Sequence, residues 1–532
     1  MRKLTLILFL LYAFSAYAAE RVYIFTDRNT YLSGDRVWCS LFCMDENGRF
    51  SGQSSVAYIE LVGVDGSAAE AKIGLFAGRG SGEFVIPVSV PTGNYRLMAY
   101  TSLGREDSAM YGSRLISVYN TFSTARVSSG VIASAPPRRP ILADEESDKV
   151  RLVVPGTVHQ GSRFTLIIES EGADLAVSVS HQDDLVQLSP ERIDTFMAGF
   201  PFKDIVTPGP LEYEGETVRA IATGAKEGSL AVLSSAGSPD DTYFASVNPD
   251  GSVEFRTGNI YGDREMVCEV MEAGEDVRIG LVSPFRHPEP GVIPPLYLHK
   301  DQFTDLVRRK EARSVQVKAD TLVQFLQRRK DRMLSGVTWE QCHLDDYVRF
   351  NTVREVIVEV LPSVRIRNAS KAPYLEISIS DGMDTHRTFK GPVLTMMDGV
   401  VVSDLNLVLG FDALLLDDVY VCREPVVSGN TLFNGIVNFV TKNNYVTALH
   451  FPPQVCVEDF KGVRYPVAYT GEAPSQGRDS REVLYWHPAL EVKGQQRISL
   501  TAPAYSGVFQ VTIEGFDRDG NPVHAQSVIN VK

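Results

Sequence analysis

From residue 20 to about residue 122, apolar and polar side chains alternate with a period of two. Val22 and Ile24 fall opposite Tyr23 and Phe25, and Val37, Cys39, Leu41 and Cys43 opposite Trp38, Ser40 and Phe42. That period is a strand's, because successive side chains leave a strand on opposite faces. Turn-forming stretches at Asp45-Glu46-Asn47-Gly48 and Val64-Asp65-Gly66 interrupt the runs. Short strands at regular turn spacing predict an antiparallel sandwich over 19–122. Residues 123–147 lose the alternation. They are rich in Ser, Ala and Pro, with Ala135-Pro136-Pro137-Arg138-Arg139-Pro140 at their centre, and predict a linker.

Alternation returns from Lys149, through Arg163 to Ile168 and Leu175 to Ser180, and predicts a second β-domain over 148–203. A third, over 204–286, begins at Leu211-Glu212-Tyr213 and contains the turn Asn248-Pro249-Asp250-Gly251 before the short strand Val253-Glu254-Phe255. Between 287 and 340 the period changes. Phe303, Leu306, Val307, Leu322, Val323, Phe325 and Leu326 recur at helical spacing and predict a helical segment. Its basic clusters, Arg308-Arg309-Lys310 and Arg328-Arg329-Lys330, read as a solvated helix face. Residues 341–446 mix types: a helix runs into a strand ending near Arg365, and further strands are read at Leu375 to Ile379, Pro392 to Met397, Asp417 to Val421 and Gly435 to Thr441. Asp398-Gly399 predicts a tight turn, since glycine takes a positive φ freely. The last stretch, 447–532, alternates again, with the hairpin turn Asp517-Arg518-Asp519-Gly520, and predicts a terminal sandwich. The expected fold class is therefore mainly β and multidomain: antiparallel sandwiches, one α+β domain and a short helical segment.

The chain has 532 residues, too many for one core and enough for several domains. The first 18 residues read as a secretory signal peptide. Arg2 and Lys3 start it, Leu4 to Phe14 form its apolar run, and Ala16-Tyr17-Ala18 is the cleavage site. That run is too short for a membrane-spanning helix, and no later stretch approaches the ~18 apolar residues a span requires. The chain is therefore expected to be exported. A net charge of −14 argues against a general nucleic-acid binder, which needs a basic surface to release counterions. Six cysteines (Cys39, Cys43, Cys268, Cys342, Cys422 and Cys456) allow many pairings and the spacing selects none; buried free thiols are expected. Cys39 and Cys43 lie ~13 Å apart along one strand, too far to pair with each other.

Some stretches resemble known families. Thr26-Asp27-Arg28-Asn29-Thr30-Tyr31-Leu32-Ser33-Gly34-Asp35-Arg36-Val37-Trp38, with Gly82 to Pro87 and Pro91 to Tyr100, resembles the second domain of macroglobulins, except that Asn29 stands where a proline is usual. Residues 204–286 resemble the carboxypeptidase regulatory-like sandwich. The order of Pro392 to Val400, Asp417 to Val421 and Gly435 to Thr441 resembles the plug domain of TonB-dependent outer-membrane receptors. Too few residues follow Thr441 for the barrel such a receptor needs. Together these resemblances imply a Bacteroidetes-type Gram-negative envelope protein without its own pore, either periplasmic or associated with the outer membrane at the cell surface.

Sequence patterns supply no catalytic residue, cofactor-binding residue or metal ligand. Asp45 to Gly48, Asn248 to Gly251 and Asp517 to Gly520 suggest calcium loops, but the twelfth position counted from Asp45 is Val56, and from Asp517 it is Val528. Hairpin turns are the better reading. Asp345/Asp346 and Asp417/Asp418 are sequence neighbours whose side chains diverge. His343 and His487 have no metal partner at ligand spacing. Gly-x-Ser-x-Gly, His-Glu-x-x-His, the phosphate loop and the Cys-Gly-Glu-Gln thioester of macroglobulin traps are all missing. The expected function is non-enzymatic: a binding or scaffold protein that engages another envelope protein, an outer-membrane barrel included. The alternatives are an envelope polysaccharide or peptide hydrolase and a periplasmic carrier that feeds a separate transporter.

Overall fold

Strands Glu20–Thr26 and Arg36–Asp45 pair antiparallel with Val22 opposite Cys43 and Ile24 opposite Leu41. The computed structural model describes residues 19–122, 127–133, 143–202, 209–313, 336–368, 372–380, 386–387, 391–428, 431–443, 446, 449–466, 468–469, 471–474 and 478–532. The stretch 1–18, read as a signal peptide, and the cluster Arg328-Arg329-Lys330 lie outside them. The chain is mainly β, in several largely antiparallel sheets, and divides into two units. The first comprises the described residues of Met1–Gly215, Phe285–Leu326 and Val463–Lys532; the second comprises those of Glu216–Pro284 and Gln327–Gly462.

In the first unit, the N-terminal strands form a sandwich whose neighbours run Glu20–Thr26, Arg36–Asp45, Arg79–Val85, Gly66–Phe76, Val56–Gly63, Gly93–Tyr100, Gly112–Tyr119 and Thr30–Leu32. The alternation read from sequence sorts two buried faces. Val22, Ile24, Val37, Cys39, Leu41 and Cys43 fill the sandwich core. Tyr23, Phe25, Trp38 and Phe42 pack outward against Ile193, Phe196, Val483, Trp486 and Phe516. Phe25 stacks on Trp486 with ring centres 5.5 Å apart.

That second partner is one sheet, which corrects the separate domains expected at 148–203 and 447–532. The 20-residue strand Arg163–Gln182 lies between strands from the far end of the chain. Val483–Thr501 pairs along one edge, with Ser178 opposite Trp486, and Gly507–Asp517 along the other, with Val177 opposite Ile513. A long central strand exposes two rows of backbone donors and acceptors, and both need partners. Period two identifies which face is buried, not which strand lies alongside.

The second unit likewise crosses an expected boundary. Glu216–Thr223 pairs with Ser252–Gly258 and Arg278–Val282, and Leu230–Ser235 lies between Ser238–Ser246 and Arg264–Val270. The outer partner of Arg264–Val270 is Cys456–Phe460, which the sequence placed in the terminal sandwich. The α+β part has a five-stranded sheet in the order Glu340–His343, Leu416–Cys422, Ile436–Thr441, Leu394–Met397 and Val400–Val401. Helix Val353–Glu359 begins at a capping box made by Thr352 and Glu355. Asp398 (φ +49°) and Gly399 (φ +82°) make the expected turn. The buried Asp398 carboxylate accepts from Thr441 N at 2.7 Å and Thr441 Oγ1 at 2.6 Å. Gly435 starts the next strand at φ +104°, where a Cβ would lie 2.5 Å from Cys422 O.

All six cysteines are free; Cys342 and Cys456 are half-buried and the other four buried. No helix among the described residues is long and apolar enough to cross a membrane.

Candidate functional site

The N-terminal motif folds into a turn tied by its own acids. Asp27 accepts from Tyr31 Oη at 2.7 Å and from Trp38 N at 3.1 Å. Asp35 accepts from Arg28 Nη2 at 2.8 Å and from Leu32 N at 2.8 Å. Gly34 turns the chain at φ +88°, and its N–H donates to Ile86 O at 2.7 Å. Burial pushes the Asp27 and Asp35 carboxyls up, against the opposing charge of Arg28.

A helix over 303–313 supplies the facing wall, with Leu306 packed against Leu32, Tyr119, Leu185 and Leu296. Phe303 is 70% exposed and Val307 41%, whereas Arg309 is 3% exposed. Arg309 donates from Nε and Nη2 to the two Asp183 oxygens at 2.8 and 2.9 Å, and from Nη1 to Thr30 O at 2.8 Å. Arg308 reaches Asp183 at 2.6 Å, pairs with Glu482 and lies over the Tyr505 ring at 4.8 Å. The reading of this cluster as a solvated face therefore fails for Arg308 and Arg309, while Lys310 is exposed. Buried carboxylates on other elements pull the guanidiniums inward, and a planar fork matches a carboxylate bidentately. Burial alone would raise the Asp183 carboxyl, yet Arg309 and His181, by charge and hydrogen bond, hold it well below the usual carboxylate range.

Between motif and helix lies a cavity of about 350 Å³. Five arginines (Arg28, Arg36, Arg309, Arg313 and Arg481) and three acids (Asp27, Asp35 and Glu482) line it. Trp38 and Tyr469 meet edge to face at 5.4 Å in its wall. Arg481 is fixed by Asp479, Gly471 O and Thr501 O. Arg313 differs. Its Nε is buried without a hydrogen-bond partner among the described residues, 3.6 Å from Asp35 Oδ1, and its guanidinium occupies the space where a Cβ on Gly34 would stand.

No family model matches the chain, and no curated protein matches it. The solved structures it is similar to include trypsin-activated alpha-2-macroglobulin from Escherichia coli, at 9% identity and a TM-score of 0.25 over 96% of this chain and 41% of that one. Salmonella alpha-2-macroglobulin reacted with methylamine is another, at 10% identity and a TM-score of 0.24 over 96% and 39%. Dimeric latent PorU from Porphyromonas gingivalis is a third, at 11% identity and a TM-score of 0.17 over 49% and 33%. The chain spans about two-fifths of the length of the macroglobulins it matches.

The residues weighed from sequence fall elsewhere. Asp345 accepts from Arg349 Nε at 2.8 Å near a short 3₁₀ turn. Strand pairing sets His343 opposite Asp418, with Nδ1 2.8 Å from its carboxylate, and brings Asp417 alongside. The sequence missed that group because its members stand 75 residues apart. His487 is half-buried beside Tyr485, and burial lowers its pKa. Asp45 to Gly48, Asn248 to Gly251 and Asp517 to Gly520 are turns closed by backbone hydrogen bonds of 3.0, 2.9 and 3.1 Å. His343/Asp417/Asp418, Glu60/Glu70/His287 and His181/Asp183/Glu482 each bring three ligand-type atoms together. In the last set, Arg308 and Arg309 already stand where a cation would.

Proposed function

We infer that this chain is a non-enzymatic binding and scaffold protein of the cell envelope. It engages a second envelope protein, and the arginine-lined cavity of the first unit receives an anionic group of that partner. The observation that carries this reading is the charge arrangement around the cavity, five arginines against three acids in a protein of net charge −14. Asp27, Asp35 and Glu482 are each engaged by structural donors, which favours holding over acid–base turnover. Arg313, whose Nε has no hydrogen-bond partner among the described residues and whose guanidinium lies over the Phe122 ring at 4.6 Å, is the group that meets the ligand. Trp38 and Tyr469 offer a flat apolar surface beside it.

The full chain is used as bait on envelope extracts, and captured proteins are identified by mass spectrometry. In parallel, N-acetylphenylalanine and its uncharged amide are titrated calorimetrically. A specific envelope partner should be recovered, and the acid should bind about tenfold more tightly than the amide, a charge-assisted contact being roughly twice as strong as a neutral one. Arg313→Gln should remove that preference and Arg313→Lys restore part of it. Recovery of no partner sinks the scaffold role. Equal binding of acid and amide sinks the anion site alone. A second reading, a carrier of a small acid, is favoured by the cavity's volume, which falls in the ~300–1,000 Å³ range of small-molecule sites. In that case the free acid binds while no protein is captured.

A further inference from the structure

In the second unit, strands Arg264–Val270 and Cys456–Phe460 pair antiparallel with Cys268 directly opposite Cys456. Directly opposed residues of an antiparallel pair have Cα atoms about 4.5–5.5 Å apart, inside the ~4.4–6.8 Å window a disulfide occupies. Both side chains leave their strands toward the same core: Cys268 belongs to it and Cys456 packs against it. Shared face and direct opposition bring the two Cβ atoms together, as bridging requires. None of the other cysteines has this arrangement among the described strand pairings. Cys39 and Cys43 share one strand; Cys342 faces Val419, and Cys422 faces Ile436.

The geometry points to an oxidisable pair: in a disulfide-forming environment, Cys268 and Cys456 join in an interstrand bridge that fastens the outer strand Cys456–Phe460 to the sheet. Cys268 and Cys456 are both free cysteines. The oxidant is a small disulfide such as oxidised glutathione. One thiolate, its proton released to solvent, attacks that disulfide and expels a glutathione thiolate; the second cysteine thiolate then displaces the other glutathione. One S–S bond is broken and one formed. The two cysteines lose two electrons and two protons, and glutathione leaves as two reduced molecules. Half-buried Cys456 is where an oxidant gains access, while Cys268 is fully buried. Burial pushes both thiols up, which keeps the thiolate fraction small and the reaction slow.

The bridge would link two parts of the chain that the sequence assigned to different domains. Its formation does not depend on what fills the arginine-lined cavity, which belongs to the other unit.

The test uses the full chain, incubated at length with oxidised glutathione, quenched with acid, alkylated and digested with trypsin without reductant. Cleavage after Arg264 and Arg278 releases a peptide with Cys268 alone, and cleavage after Lys442 and Lys461 one with Cys456 alone. The expected product is these two peptides joined, about two mass units lighter than their sum and separated by reductant. In the oxidised protein, amides of Cys456–Phe460 should exchange more slowly than in the reduced one, and Cys456→Ser should abolish that difference. Recovery of both peptides separately alkylated, or of Cys268 joined to any other cysteine, overturns the inference. If Cys456→Ser fails to fold, peptide mapping of the unaltered protein decides alone.

Discussion

The two units bury acids in opposite ways. In the first, Asp183 has its side chain 2% exposed and lies under two guanidiniums, at 2.6 Å from Arg308 and at 2.8 and 2.9 Å from Arg309. In the second, Glu269 is 6% exposed and accepts only from Ser403 among the described residues, from N at 3.1 Å and Oγ at 2.7 Å. Equal burial yields contrary titrations: Asp183 is held well below its ordinary value, whereas burial pushes Glu269 up to about 7. Neutral donors do not offset the loss of water around a buried carboxylate, and an adjacent cation does. The first unit thus carries a charged lock, and the second a protonation-dependent seam between the strand Arg264–Val270 and Ser403.

Breaking the lock should have the largest effect. Arg309→Met leaves Asp183 with one guanidinium instead of two and should cost the first unit roughly 3–5 kcal/mol. The loss is read from urea unfolding and from hydrogen exchange along Arg163–Gln182. Adding Asp183→Asn should recover part of it, since the stranded charge is then gone. The pH dependence runs in a fixed direction. A carboxylate whose folded pKa is depressed stabilises above its ordinary value, here 3.8, and that stability is lost as pH falls below it. The unaltered first unit should therefore weaken below pH 3.8, and the double variant less so. An Arg309→Met protein as stable as its parent would show that the buried pair contributes nothing to holding helix 303–313.

Much of the strand placement was legible in the sequence because a strand declares its faces locally. Val22 to Phe25 and Val37 to Cys43 alternate as the structure sorts them, and Asp398-Gly399 makes the turn its residues predict. What failed was everything decided by a distant partner. Arg163–Gln182 draws its neighbours from residues 483–517, and nothing in its own pattern names them. The cationic half of helix 303–313 faces inward because Asp183 lies 126 residues before Arg309, and Glu482 174 residues after Arg308. Apolar spacing identified the helix but not its buried side: Phe303 and Val307 are exposed while Arg309 is buried. The candidate cavity was half legible: the motif that forms one wall stood out, while the opposite wall was assigned to solvent.

The second unit offers the mirror experiment. A glutamate whose folded pKa is raised binds protons more tightly when folded, so stability falls as pH rises from 4.5 toward 7 and levels off above. A shift of that size corresponds to about 3 kcal/mol between the two ends of the window. Glu269→Gln, which keeps an acceptor for Ser403 without the charge, should flatten the slope and make the second unit more stable than its parent at pH 8. Calorimetry of the full chain, with exchange on peptides from Arg264–Val270 to assign the transition, checks both. An unchanged slope would mean that water reaches Glu269 and the burial is only apparent.

Ser403→Ala sharpens the contrast with a smaller effect. Its hydroxyl donates to the Glu269 carboxylate, and its backbone N–H remains after substitution. A hydrogen bond to a charged group stabilises more than one to a neutral group, so the loss should be about 1–2 kcal/mol at pH 8 and smaller at pH 4.5, where Glu269 is protonated in the folded state. Removing a donor that favours the ionised form also raises the carboxyl further, and the falling limb of stability should extend above pH 7. A loss equal at both pH values would assign Ser403 a packing role alone. A loss that grows with pH would make it the donor that keeps an otherwise unpaired buried carboxylate tolerable, the part that Arg309 performs for Asp183 in the other unit.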